Sequence, residues 1–99
     1  MKIHEIKIAE DYADAVLDGS KTFEIRRNDR GYQKGDLIKF IVIDRDLSLK
    51  VSEHGLNDRL YKITYVHSGL GMADGYVALS IEPKEWKYER DEYHEELQA

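Results

Sequence analysis

Leu37-Ile38-Lys39-Phe40-Ile41-Val42-Ile43 is the most apolar stretch of this 99-residue chain. It reads as a strand, and its apolarity places it inside a sheet. A central strand is therefore predicted over 37–43. Turn residues bound it: Gln33-Lys34-Gly35-Asp36 before, Asp44-Arg45-Asp46 after. Upstream, residues 2–8 alternate, with His4, Ile6 and Ile8 on one face and Glu5 and Lys7 on the other. A short helix is predicted over 10–18, with Tyr12, Ala13, Val16 and Leu17 on one stripe. Glu10 and Asp11 favour its first turn electrostatically, and Gly19 suits the left-handed position past its end. A second strand is predicted over 21–27, where Phe23 and Ile25 point one way and Thr22, Glu24 and Arg26 the other.

Downstream, Leu47, Leu49 and Val51 alternate with Ser48, Lys50 and Ser52, as in a strand with one wet face. A loop is predicted over 53–58 and a strand over 59–67. In that strand Tyr61, Ile63, Tyr65 and His67 share a face, and Tyr61 and Tyr65 are expected in the core. Residues 68–75 hold Gly69, Gly71 and Gly75 and read as a loop, either a turn or a lid. A last strand is predicted over 76–81, with Val77, Leu79 and Ile81 inward and Pro83 ending it. Six strands, one early helix and short late connections predict a mostly antiparallel α+β or mostly-β domain, a small barrel or strongly curled sheet over 1–83. Residues 84–99 form an acidic C-terminal tail in which Trp86, Tyr93 and Leu97 trace a marginal helix.

Composition excludes several chemistries. There is no cysteine, hence no disulfide, thiolate metal site or cysteine nucleophile. No apolar run approaches the length of a membrane span, so a soluble, cytoplasmic protein without membrane contact is expected. His4, His54, His67 and His94 lack metal-like spacing, although His4 and His67 would meet if the first strand paired with 59–67. The glycines form no nucleotide fingerprint, and no cofactor is implied.

The net charge of −5 is unevenly spread. Residues 84–99 hold three basic and six acidic groups, whereas residues 21–34 hold five basic groups against two acidic ones. Within the basic segment lies Gly19-Ser20-Lys21-Thr22-Phe23-Glu24-Ile25-Arg26. Glu24 and Arg26 stand on one strand face, roughly 7 Å apart by strand rise. Lys21, Glu24 and Arg26 beside one cleft would bind a phosphate and hydrogen-bond a base edge. A lysine next to a carboxylate also suits proton transfer. The same residues are equally an ordinary exposed ion pair and a lysine complementing a helix dipole. Arg27, Arg30 and Lys34 are candidates for phosphate contacts, or else Arg27 and Arg30 pair with Asp29 or Asp36 to fix a turn. Tyr32 is a candidate for base stacking, or covers the barrel end.

Gly19, Lys21, Glu24 and Arg26 fit the G-x-K-x-x-E-x-R signature of the ASCH domain family, of the PUA-like superfamily. The likeness extends through "MKIHEIKI", "KTFEIRRNDRGYQKGD" and "DGYVALSI", which resemble a small phage and Gram-positive ASCH-like group of unknown function. It covers about residues 1–82. The resemblance implies a PUA-like β-barrel with a cleft beside the early helix, binding RNA or a modified nucleotide through Lys21, Glu24 and Arg26. Some relatives are enzymes that deacetylate acetylated cytidine or cleave RNA. The deacetylating relatives carry a lysine at the position of Lys21 and a threonine three positions later, where this chain has Glu24. If this chain is a hydrolase, Lys21 is the expected base or nucleophile and Glu24 the proton shuttle. A third class is a phage-encoded protein-interaction module, whose tail presents Trp86, Tyr88 and Tyr93 to a host partner.

Overall fold

A computed structural model describes residues 1–44 and 50–84. Five long strands and one two-residue strand form a single mostly-β sheet: β1 Ile3–Ala9, β2 Phe23–Arg27, β3 Leu37–Asp44, β4 Lys50–Val51, β5 Leu60–His67 and β6 Tyr76–Lys84. One helix, α1 Glu10–Asp18, lies between β1 and β2. The sheet order is β1-β3-β5-β6-β2, with β4 beside β3. Among the described residues only β1–β3 is parallel; the other pairings are antiparallel. The two strands joined by α1 thus stand at opposite ends of the sheet order, and the sheet curls to bring them near each other.

The predicted alternation sets the core. His4, Ile6 and Ile8 of β1 are buried, as are Val77, Leu79 and Ile81 of β6. The apolar ones pack with Ile38, Phe40 and Val42 of β3 and Ile63 of β5. Fully burying such a side chain stabilises by roughly 1.5–3 kcal/mol. The Phe40 and Tyr61 rings meet edge to face at 5.6 Å, the geometry their quadrupoles favour. Ala13 and Val16 face this core from α1, and Gly19 ends the helix at φ 89°, where a side chain would be strained. β5 covers β3 only at Leu37–Lys39. Beyond it, Asn57 takes over: its side-chain oxygen accepts from the Val42 N–H at 2.8 Å, and its backbone carbonyl accepts from Lys39 Nζ at 3.0 Å.

Three expectations change, and one condition is not met. Tyr65 is 59% exposed rather than in the core. A bulge between Ile63 and Tyr65 adds Thr64 to β5, so the alternation flips and Val66 packs inward instead. Pro83 lies within β6, opposite Tyr61. The Ile81 N–H donates to the Thr22 carbonyl, so alternate amides point towards β2; at Pro83 that strand has ended and no donor is needed. His4 and His67 do not meet, because β1 pairs with β3. His67 instead bonds the Leu70 carbonyl at 2.8 Å. Finally, Gly55–Asp58 in the predicted loop is a short 3-10 helix. The strand expected over 47–52 is seen at Lys50–Val51; its earlier residues, the 44–46 turn beyond Asp44, and the tail helix with Trp86 lie outside the described residues.

Candidate functional site

β1 and β2 do not pair, although the sheet brings them to face each other. Side chains bridge the seam instead. An Arg26 Nη donates to the Lys7 carbonyl, and an Arg30 Nη donates to the Glu5 carbonyl. Odd-numbered carbonyls of β1 point away from β3, so these are the unpaired acceptors of an edge strand.

On β2 the buried face is the polar one. Glu24 is 5% exposed while Phe23 and Ile25 are about half exposed. Its ladder partner Leu79 is fully buried, so Glu24 lies on the inner side of the curled sheet at the seam. A buried carboxylate needs partners, and Glu24 has two cationic ones. One oxygen accepts from Lys21 Nζ; the other accepts from Arg26 Nε at 3.0 Å. Lys21 also donates to the Phe23 carbonyl at 2.5 Å. The sharp turn after Gly19 places it there, since the Lys21 N–H returns to the Ala15 carbonyl at 3.0 Å. The third N–H of Lys21 and several of Arg26 have no acceptor among the described residues.

These residues line a cavity of about 590 Å³. Lys7, Ile8 and Ala9 of β1 form one wall, Phe23–Arg26 of β2 the opposite wall, with Tyr12 of α1 and Ile43 of β3 completing it. Three cations and one anion give the lining a net charge of +2 within a chain of −5. A positive lining of this kind raises the local concentration of anions.

The other predicted residues stand elsewhere. Arg27 lies over the Tyr76 ring at 5.7 Å on the outer face. Arg30 holds the seam and has Asp29 at 4.0 Å. Lys34 is exposed and outside the cleft lining. Tyr32 is buried, with its ring 4.7 Å from that of His4, so no face is open to a base; burial raises its phenol pKa despite nearby Arg30 and Arg26. The 68–75 loop is not part of the cleft lining; its Gly75 carbonyl accepts from the Asn28 N–H at 2.8 Å, and Gly69, Gly71 and Gly75 all have positive φ, as turns require.

Two features escaped the sequence reading. Tyr12, assigned to the helix's apolar stripe, is 50% exposed at the cleft rim. Asp36, read as a turn residue, is a buried acid. Its carboxylate takes the His4 ring at 2.8 Å and the N–H groups of Lys2 and Gln33 at 3.1 Å each. Burial pushes its pKa up, but these bonds outweigh it and hold the carboxyl below its ordinary 3.8. The signal was His4 at a core position of β1, which demanded a partner. Among the described residues no group of three or more His, Asp or Glu could hold a metal, and no helix is long and apolar enough to cross a membrane.

A mostly-β sheet curled around a cation-lined seam defines the class. Residues 3–81 match the family described as Domain of unknown function (DUF3850), and the chain belongs to that family. It is 49% identical over 37 residues to the "Uncharacterized 12.9 kDa protein in GpA 3'region" of Escherichia phage P2, a match covering 37% of this chain and 34% of that relative. The chain thus spans about a third of that relative's length. The fold is similar to the crystal structure of hypothetical protein PH0355, with a TM-score of 0.53 and 21% identity, covering 85% of this chain and 100% of that one.

Proposed function

We propose that the seam cleft binds RNA or a nucleotide, modified or not, as the PUA-like ASCH reading of the G-x-K-x-x-E-x-R segment implies. The observation that supports this most is the Lys21–Glu24–Arg26 cluster. A buried carboxylate holds two cations whose remaining donors face a cavity. Glu24 is a positioning residue here, and Lys21 and Arg26 present donors to phosphate or base oxygens. The cavity suits one unpaired base or nucleotide, not a duplex.

The test is an NMR titration of labelled protein with a short mixed-sequence RNA, then with cytidine and acetylcytidine. Shifts are expected around Lys21, Glu24 and Arg26. In the K21A/R26A variant they vanish, and the RNA salt slope falls by about 0.7 for each phosphate that the variant no longer neutralises. Undiminished RNA binding by that variant, with its fold intact, sinks the reading. A hydrolase remains the second reading, favoured by the direct Lys21–Glu24 contact. It requires new product signals from wild type that K21A abolishes.

A further inference from the structure

The cleft has a feature that charge recognition does not use. Tyr12 is 50% and Phe23 46% exposed, although each belongs to an element with a buried face. They come from different elements, α1 and β2, and line the same cavity. Both rings hold one ammonium: Lys21 Nζ is 5.6 Å from the Tyr12 centroid and 4.8 Å from that of Phe23. Cation–π contact and the Glu24 bond fix Lys21 between the aromatic rim and the buried acid. Aromatic rings left half in water at the mouth of one cavity offer surface on which a flat heteroaromatic ring can lie.

Resting on the nucleotide reading above, we infer that Tyr12 and Phe23 are the base-stacking residues of this cleft. The ligand's heteroaromatic ring lies against them, while its anionic group meets Lys21 and Arg26. Stacking tolerates any base because every base has a π face. The site therefore selects for an unpaired base joined to a phosphate, with weak preference among the four. Tyr12 contributes its ring.

The probes are cytidine 5′-monophosphate, adenosine 5′-monophosphate and ribose 5-phosphate, followed by NMR and calorimetry. Wild type is expected to bind both nucleotides, with base protons shifted upfield by the rings. Y12A weakens nucleotide binding roughly tenfold, as the loss of one stacked ring does. Y12F binds like wild type, F23L falls between, and ribose 5-phosphate binds wild type and Y12A alike. Tyr12 lies half in water on a helix where alanine is favourable, and the amide spectrum of Y12A checks that its fold is kept. Upfield base shifts in wild type test the stacking without any variant. If Y12A and F23L bind nucleotides unchanged and the base protons do not shift, the stacking role is overturned; K21A/R26A still losing those nucleotides leaves the cleft reading intact. If wild type binds none of the three probes, the stacking role is overturned, and the RNA titration above decides the cleft reading separately.

Discussion

Two buried carboxylates, Glu24 and Asp36, are 5% and 6% exposed and are satisfied in opposite ways. Asp36 takes two backbone N–H groups and a buried imidazole, and it joins the starts of β1 and β3. Two of its three partners belong to the main chain, and the third is itself buried. Glu24 takes two long cationic side chains and faces a cavity. Its partners keep spare donors. The first arrangement is suited to holding a fold, the second to holding a ligand.

Leucine in place of each acid separates the two roles. D36L strands two amide donors and His4, and should cost about 3–5 kcal/mol in urea unfolding, as breaking a buried polar cluster does. E24L should stay within about 1 kcal/mol of wild type, because Lys21 and Arg26 are partly exposed and can swing to water. Its nucleotide affinity should nevertheless fall, since nothing then orients the two cations. Equal stability losses in both variants would erase the distinction.

Acid sharpens the comparison. Asp36 has a folded pKa below its ordinary value, so its ionised form contributes stability that is present above pH 3.8 and lost as pH falls through the folded pKa. Stability of wild type should therefore decline more steeply than that of D36N below about pH 4. A profile unchanged in D36N would show that this carboxyl does not carry the acid limb. The smallest effect is expected at His54. Its Nδ1 accepts from the Leu56 N–H at 3.1 Å and its Nε2 bonds the exposed Asp14 at 2.7 Å. H54A should cost about 1 kcal/mol, mostly the lost cap, and leave nucleotide binding untouched.

Strand β1, the core strand β3 and the inward face of β6 were legible because their periodicity matches their burial; helix α1 was legible in extent, but only Ala13 and Val16 of its predicted stripe are buried, while Tyr12 and Leu17 are exposed. The sequence failed where one residue carries long-range information. Thr64 adds a bulge that no local pattern announces, and Tyr65 changes sides. The charged triad was legible as a cluster, but not that its face of β2 is the buried one. That follows only from β2 lying at a seam, next to an edge strand it does not pair with. Asp36 looked like any turn acid, since its partners Lys2 and His4 arrive from more than 30 residues away. Tyr12 fitted a core stripe that is narrower in the fold than in the pattern.

The sheet order also fixes when the cleft can exist. Among the described residues the only sheet neighbour of β2 is β6, with Phe23 opposite Ser80 and Arg27 opposite Tyr76. During synthesis the triad emerges early, yet the strand that carries it has nothing to pair with until the end of the domain leaves the ribosome. Closing that long loop is the slow kind of step in folding. A nascent or truncated chain therefore has the residues of the cleft but not the cleft itself.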